Sequence, residues 1–241
     1  MKRPPSFKTE AEMCAAFIVW LKQQLGWTPY AETAGWDILL AHADGTQIGV
    51  QAKLKFNLAV LTQAVESGGG WNEVGPDYRA VLVPDGGHAD LCAALSLTLI
   101  RPRKQWNGSF EFEPGFDRSW ARWHYCNPAK RHDLPEYVPD VPAGVPSPST
   151  LTKWKVGALQ VCAVMELQGY VTRQYFRLAR IDSRRWTQEW LEAVPEKPGR
   201  WRWRDGVDQG FSKKHPVIYP QVRAQVREKG LAAATEDGVL L

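Results

Sequence analysis

The chain lacks both a long hydrophobic segment and a close pair of cysteines. No run of about 18 apolar residues occurs, so the sequence predicts no membrane-spanning helix. The first ten residues, MKRPPSFKTE, carry cations with no apolar stretch behind them, which is not typical of a secretory signal peptide. The four cysteines, Cys14, Cys92, Cys126 and Cys162, lie far apart. This spacing predicts a reduced, cytoplasmic protein without a cysteine-based zinc site.

Charge is distributed unevenly along the chain. Residues 1–150 hold 14 basic and 16 acidic residues, a net charge of −2, whereas residues 151–241 hold 16 and 10, a net charge of +6. A basic C-terminal third favours a polyanionic partner, most often nucleic acid. A solvated basic surface with no specific partner would show the same excess, so charge alone leaves both interpretations open.

Hydrophobic periodicity divides the chain into three regions. Residues 1–100 predict an α/β domain with the order helix, three strands, helix, strand, helix, and the first helix runs from about Thr9 to Leu25. Residues 101–150 are rich in Trp and Pro and predict irregular structure, because six prolines within residues 128–148 cannot sustain a helix or a central strand. This region ends in a linker, and residues 151–241 form a third, mostly helical region.

The third predicted strand carries polar side chains on one face. Apolar and polar residues alternate through TQIGVQAKL, so Gln51 and Lys53 share a face, two positions apart. The preceding strand holds one acid, Asp37, within an apolar run. A carboxylate in such surroundings needs a partner, because an unpaired buried charge is costly.

The turn between these two strands decides whether Asp37 can meet Gln51. A two-residue loop at Asp44-Gly45 would pair residues whose numbers sum to 89 and would place Asp37 opposite Ala52, on the wrong side. A three-residue loop, residues 43–45 with Gly45 left-handed, gives a sum of 88 and places Asp37 opposite Gln51. A functional site therefore requires the three-residue loop or a bulge.

This constellation resembles the PD-(D/E)xK nuclease superfamily, which has the restriction-endonuclease-like fold. The matching features are a helix with a glutamate, an acid on a strand, an (E/D/Q)-x-K triplet on the next strand, a helix with a glutamine and a further strand. In this chain they are Glu10 or Glu12, Asp37, Gln51-Ala52-Lys53, Gln63 and YRAVLVP. Most members have Glu or Asp at the position of Gln51. The methyl-directed restriction-type nucleases of this superfamily have Gln there, because they also carry Q-x-K. The resemblance implies an α/β fold with a mixed sheet flanked by helices.

The resemblance also implies a metal-dependent reaction. Phosphodiester hydrolysis uses a hard cation, Mg²⁺ or Mn²⁺, to polarise the phosphate and to lower the pKa of a water molecule. Asp37, Gln51 and Glu12 are the expected metal ligands, and Glu10 or Glu32 are alternative sources of the second carboxylate. Lys53 would orient the water or stabilise developing negative charge, and Lys55 would contact phosphate.

Each of these residues also has a simpler interpretation. Thr9 and Glu12 fit a capping box at the start of the first helix. Glu32 fits a surface acid at a strand end. Gln51 and Lys53 fit the solvated face of an edge strand.

The third region resembles a winged helix-turn-helix. A helix over residues 151–168, a short helix after Thr172 and a third helix in RRWTQEWLEAV precede the basic segment WRWRDG, which turns at Asp205-Gly206. The resemblance implies that Arg184, Arg185 and Gln188 face bases and that Arg202 and Arg204 face phosphates. Winged helices also mediate protein contacts, and the tryptophans fit a core better than a base-stacking platform.

The sequence thus predicts a Mg²⁺-dependent DNA endonuclease that a C-terminal winged helix delivers to double-stranded DNA. The alternative is a catalytically degenerate nuclease fold that acts as a DNA-binding or partner-binding module, and an RNA-directed nuclease is a third interpretation. We expect no membrane partner and leave a homodimer open. Small nucleases of this kind belong to phage, mobile-element or defence contexts.

Overall fold

The computed structural model describes residues 7–67, 73–84, 88–116, 122–145, 152–207 and 210–230. The chain divides into an N-terminal unit, Met1–Pro148, and a C-terminal unit, Ser149–Leu241. Both units combine helices with strands, which confirms the predicted α/β class. None of the described helices combines the length and the hydrophobicity that crossing a lipid bilayer requires.

The N-terminal unit is built on a six-stranded mixed sheet. Its elements are α1 (Glu10–Leu21), β1 (Trp27–Thr33), β2 (Trp36–His42), β3 (Gln47–Ala52), α2 (Leu58–Glu66), β4 (Tyr78–Leu82), α3 (Ala89–Ala94), β5 (Thr98–Lys104) and β6 (Phe110–Glu113). The strands lie side by side in chain order. The pairs β3–β4 and β4–β5 are parallel, and the other pairs are antiparallel. The predicted order of elements is therefore confirmed from α1 through α3.

Helix α1 begins where its capping residue predicts and ends earlier than expected. Thr9 is extended, and its hydroxyl accepts the Glu12 backbone N–H. The buried stripe contains Met13 and Phe17, at helical spacing. The helix stops at Leu21, and Leu25 is 94% exposed. After Leu21 the chain turns and enters β1 at Trp27.

The β2–β3 hairpin has the register that the functional interpretation requires. Ile38 pairs with Val50, and residues 43–45 form a three-residue loop in which Gly45 is left-handed, with φ of +89°. The Gly45 N–H donates to the His42 carbonyl oxygen, which closes the loop. Continuing this register places Asp37 opposite Gln51.

The sheet is covered on both faces. On one face, α1 packs over Ile38, Val50 and Ala52. On the other, α2 packs over Leu39 and Val81. Trp36 joins the α2-side core, and its ring lies over Gly49 so closely that a Cβ on Gly49 would sit 2.2 Å from it.

The region after residue 100 is more ordered than predicted. Strands β5 and β6 extend the sheet, and residues 122–133 fold back against it. Asp77 is 1% exposed, and its Oδ2 accepts the Gln47 backbone N–H and the Arg131 Nε, each at 2.7 Å. The Gln47 side chain forms two further hydrogen bonds with the His132 backbone, at 2.8 and 3.0 Å. The segment around residues 122–133 is therefore irregular, as predicted, but it is held against the sheet by these hydrogen bonds.

The C-terminal unit combines helices with a small antiparallel sheet. Its elements are α4 (Lys153–Gln168), β7 (Val171–Thr172), α5 (Arg173–Leu178), α6 (Ser183–Arg185), a π-helix (Trp186–Trp190), β8 (Leu191–Ala193), β9 (Arg200–Trp203), a 3₁₀-helix (Ser212–Lys214) and α7 (Ile218–Glu228). The strand order is β7-β9-β8. Thr152 and Thr172 cap α4 and α5 through their hydroxyl groups.

Two sequence-based predictions for this unit are wrong in detail. The third helix does not continue to Val194, because α6 passes into the π-helix and Leu191–Ala193 form a strand. The hairpin joins β8 to β9 through residues 194–199, so Asp205-Gly206 lies after it. The Arg204 guanidinium donates to the Leu191 and Thr187 carbonyl oxygens, at 2.9 and 3.4 Å. These bonds satisfy carbonyls at the helix end that a continuing helix would have used.

Candidate functional site

Three polar residues lie in a row across the first three strands. In the β1–β2 pair, Glu32 falls between the paired positions Ala31 and Thr33, opposite Asp37. The β2–β3 register ends with the pair Ile38–Val50, so Asp37 and Gln51 are the next residues of the two strands. The row Glu32–Asp37–Gln51 therefore crosses the end of the sheet at which β1 and β3 finish and β2 begins.

Asp37 is fixed by a backbone hydrogen bond. Its Oδ2 accepts the Ala52 N–H at 2.7 Å. Burial raises the pKa of Asp37, and the nearby Glu10 charge raises it further, whereas the Ala52 N–H and the Lys53 ammonium act in the opposite direction. The Asp37 carboxylate is thus held in place in surroundings that disfavour its charge.

Lys53 connects this carboxylate to helix α1. Its ammonium lies 3.0 Å from the Glu10 Oε2, and both side chains are partly buried. Lys53 follows the last residue of β3, and its backbone N–H donates to the Leu82 carbonyl oxygen of β4. The acid of α1 that joins the site is therefore Glu10.

Glu12 performs a different task. Its Oε2 accepts the Lys8 backbone N–H at 2.7 Å, and its own N–H donates to Thr9. The side chain is exposed at the start of α1. These are the contacts of a helix-capping residue. Glu10 is thus the α1 carboxylate that contacts Lys53, whereas Glu12 contacts the Lys8 backbone, and the metal-ligand role of Glu12 stays a prediction.

The Gln51 side chain is directed away from the Asp37 carboxylate. Its Nε2 donates to the Gly35 carbonyl oxygen at 2.7 Å and to the Ser67 Oγ at 3.2 Å, at the C-terminal end of α2. Trp36 and Leu39 both belong to the α2-side core, so the alternation of β2 breaks between them. Asp37 therefore interacts with groups near α1, although Gln51 lies opposite in the register. The contacts do not show the shared ion site expected for these two residues, and the ligand role of Gln51 stays a prediction.

Glu32 adds a second partly buried carboxylate near Asp37. Its backbone is left-handed, with φ of +47°. Its Oε1 accepts the Gly144 backbone N–H at 2.8 Å. Burial raises the pKa of Glu32, and the Asp37 charge adds to this effect, while the Gly144 N–H opposes it. Asp37 and Glu32 therefore interact electrostatically across the β1–β2 pair.

Cys14 lies beside the same carboxylates but is not a nucleophile. Burial raises the pKa of its thiol to about 12, and the charges of Asp37, Glu10 and Glu32 contribute to this shift. The thiol stays protonated at neutral pH, and the thiolate is the nucleophilic form. Sequence analysis did not identify Cys14 or Gly144 as neighbours of the site. Cys14 reaches it through its position on the buried side of α1. Gly144 reaches it through a hydrogen bond to Glu32, which is 112 positions away in the chain.

The cluster carries an excess of negative charge. Lys53 pairs with Glu10, and its ammonium also interacts electrostatically with the carboxyl groups of Asp37 and Glu32, so the acidic groups of the cluster outnumber its one basic group. Across the described ranges, no three Asp, Glu, His or Cys side chains come close enough together to enclose a metal ion. Mg²⁺ commonly binds through one or two carboxylates and keeps several waters. Asp37 and Glu10 supply carboxylate oxygens, the donor type that Mg²⁺ prefers.

Some of the residues predicted to contact nucleic acid have exposed side chains, and others already pair with groups of the protein. Arg184 and Gln188 are exposed on α6 and the π-helix. Arg185 pairs with Glu189 at 3.1 Å, and its guanidinium lies over the Trp190 ring.

The remaining basic candidates lie elsewhere. Arg202 pairs with Glu192 at 2.7 Å. Arg204 binds backbone carbonyls within its own unit, so its guanidinium has a structural function. Lys55 is exposed between β3 and α2.

Comparisons with known proteins identify no relative of the chain. No protein-family profile, no curated protein and no solved structure matches the chain. The functional argument therefore rests on the geometry of the site.

Proposed function

We propose that the chain is a Mg²⁺-dependent endonuclease that hydrolyses phosphodiester bonds in double-stranded DNA. The observation that carries this proposal is the excess of acidic groups near Lys53, where Glu10 forms an ion pair with its ammonium and Asp37 and Glu32 lie within electrostatic reach. A divalent cation would neutralise that excess in a partly buried place where carboxylates alone are unfavourable. The order of α1, β1–β3, α2 and β4 further supports the resemblance to the restriction-endonuclease-like fold.

Each side chain has a defined task in such a reaction. Asp37, oriented by the Ala52 N–H, and Glu10 would hold the ion. The ion, when bound, would polarise the phosphate and lower the pKa of a water molecule. Lys53 would stabilise the negative charge that develops on the phosphate oxygens. Glu32 maintains the negative potential of the site without needing to touch the ion.

In this proposal the C-terminal unit binds duplex DNA. Its order of helix, strand, two helices and two strands, with β9 between β7 and β8, supports the resemblance to a winged helix-turn-helix. In that interpretation α6 and the π-helix, with Arg184 and Gln188 exposed, face the major groove. The loop at residues 194–199, which contains Lys197, is the wing. The net charge of +6 on residues 151–241 favours the same partner.

A catalytically degenerate DNA-binding protein is the second candidate. It is favoured by the Gln51 amide, which is used to hold the Gly35 turn and Ser67. It is also favoured by the Lys53–Glu10 ion pair, which already engages both groups. In this alternative the cluster stabilises the fold, and the chain binds DNA without cleaving it.

Plasmid cleavage separates the two candidates. Wild-type protein, Lys53→Ala and Lys55→Ala would be incubated with supercoiled plasmid and Mg²⁺ or Mn²⁺. The nuclease proposal expects metal-dependent cleavage by wild type and Lys55→Ala, and its loss in Lys53→Ala. No cleavage by wild type, together with DNA binding that ignores divalent metal, would establish the degenerate alternative. Equal cleavage by all three proteins would indicate a contaminating nuclease and overturn the proposal.

A further inference from the structure

A cavity of about 440 Å³ opens within the C-terminal unit, apart from the carboxylate cluster. It lies between α4, the π-helix, β9 and the 3₁₀-helix. Its principal walls are Trp154, Trp186, Trp190, Trp203, Phe211 and Lys214. Small-molecule sites in proteins have volumes of roughly 300–1,000 Å³ and are mostly apolar, so this cavity falls in the range of a ligand site.

The walls present aromatic rings at steep angles to one another. Trp186 contacts Trp190 edge to face, with ring centroids 5.2 Å apart. Trp154 contacts Phe211 in the same manner, at 6.2 Å. A site of this composition favours a planar ring, because offset-stacked and edge-to-face contacts both stabilise aromatic pairs. Trp154 is 51% exposed, although its ring helps to line the cavity.

The Lys214 ammonium determines which ligand charge the cavity favours. It is the only charged residue among the lining residues, all of which lie in the described part of the chain. None of the carboxylates described for this unit forms an ion pair with Lys214. An ammonium beside an apolar wall attracts an anion and repels a cation, and the few polar lining groups disfavour sugars and polyphosphates.

We propose that this cavity binds a small planar aromatic molecule with a single negative charge, such as an aromatic carboxylate. The ring would lie among Trp154, Trp190 and Phe211. The carboxylate would bind the Lys214 ammonium at the rim. This site is independent of the nuclease proposal, because none of its walls belongs to the carboxylate cluster.

Isothermal titration calorimetry with the full chain tests the assignment. The probe is 2-naphthoate, and 2-(aminomethyl)naphthalene, which has the same ring with a positive charge, is the matched control. We expect saturable naphthoate binding and at least about tenfold weaker binding of the amine, since a charge-assisted bond replaces a repulsion. Binding of both compounds with equal affinity, or no saturable naphthoate binding up to millimolar concentration, would overturn the proposal.

Two variants locate the bound molecule. Lys214→Gln should weaken naphthoate binding at least about fivefold, because it removes the cation at the rim. Lys213→Gln changes its exposed neighbour in the same 3₁₀-helix, which does not line the cavity, and should leave the affinity within about twofold. Trp154→Ala should weaken binding about tenfold or more. Thermal melting verifies that each variant is folded, and equal effects of Lys213→Gln and Lys214→Gln would exclude this cavity as the site.

Discussion

The Lys53 ammonium lies 3.0 Å from the Glu10 carboxylate, although 43 positions separate these residues in the chain. This ion pair joins the end of β3 to the first turn of α1 and brings both groups beside Asp37. This ion pair therefore fixes the position of the candidate site between α1 and the end of β3.

Replacing Lys53 tests whether its charge acts in catalysis. We expect Lys53→Ala to lower the rate of plasmid cleavage about 10²–10³-fold, the usual cost of removing one group that stabilises a developing charge. Lys55→Ala is the matched control, because Lys55 is exposed and two positions away. Cleavage rates measured under single-turnover conditions separate this loss from weaker DNA binding. A similar small effect of both substitutions would contradict the assignment.

The two glutamates of α1 should respond differently to substitution. Glu10→Gln removes a charge beside Asp37, so we expect it to weaken Mg²⁺ binding and cleavage while the helix remains intact. Glu12→Ala breaks the bond to the Lys8 backbone and should cost about 0.5–2 kcal/mol of stability without altering metal affinity, as for other capping residues. Mg²⁺ titration followed by calorimetry, combined with urea unfolding, measures both effects. The reverse pattern would return the ligand role to Glu12.

Asp37→Asn should stabilise the metal-free protein at neutral pH. The pKa of Asp37 is raised in the folded state above its ordinary value of 3.8, so the charged carboxylate opposes folding above the folded-state pKa. This penalty fades as the pH falls through the folded pKa and is absent below the unfolded one. The asparagine carbonyl can still accept the Ala52 N–H.

Melting temperatures in EDTA between pH 7 and pH 4.5 measure this effect. We expect Asp37→Asn to melt above wild type at pH 7 and the difference to shrink on acidification. Adding Mg²⁺ should raise the melting temperature of wild type alone, because ligand binding to the folded state stabilises it. A lower melting temperature for Asp37→Asn in EDTA at pH 7 would refute the electrostatic argument.

Gly49→Ala should destabilise the N-terminal unit. A Cβ at this position would lie 2.2 Å from the Trp36 ring, and Trp36 is 1% exposed and cannot move freely. Overpacking of this kind costs typically about 1–3 kcal/mol. Gly115→Ala is the control, because a Cβ there meets no atom of the described residues within 4 Å. Urea unfolding of both variants measures the difference. Equal midpoints would show that the Trp36 side chain can move to accommodate the added methyl group without loss of stability.

Arg184 and Arg204 should separate DNA binding from stability. Arg184→Ala should weaken binding to duplex DNA by about 1–3 kcal/mol, because the proposal places Arg184 against base edges in the major groove. Arg204→Ala should lower the melting temperature, because it removes bonds to the Leu191 and Thr187 carbonyl oxygens. Fluorescence anisotropy at several salt concentrations and thermal melting provide the two measurements. Unchanged DNA affinity in Arg184→Ala would argue against the proposed groove contact.

Local patterns were sufficient to predict the framework of the N-terminal unit. Alternation in TQIGVQAKL and the Asp44-Gly45 turn predicted the strand pair, and its three-residue loop was one of two registers that the sequence allowed. The element order from α1 to α3 followed from periodicity. These features depend on neighbours in the chain, which a sequence displays directly.

The side-chain partners could not be predicted in the same way. Glu10 and Glu12 both lie in the first turn of α1, and only the packing of that helix decides which one meets Lys53. The direction of Asp37 depends on β2, in which Trp36 and Leu39 both belong to the α2-side core, so that the alternation is interrupted between them. The π-helix escaped notice because its residues have the composition of an ordinary helix.

The buried Asp77 has a practical consequence for dividing the protein into fragments. Its counterion, Arg131, and the backbone that receives the Gln47 side chain both come from the Trp- and Pro-rich stretch. A fragment that stops near residue 116 would leave this buried carboxylate without its cation, which would destabilise the fragment. An expression fragment intended to retain the candidate site should therefore extend past residue 145, so that Gly144 is also kept beside Glu32.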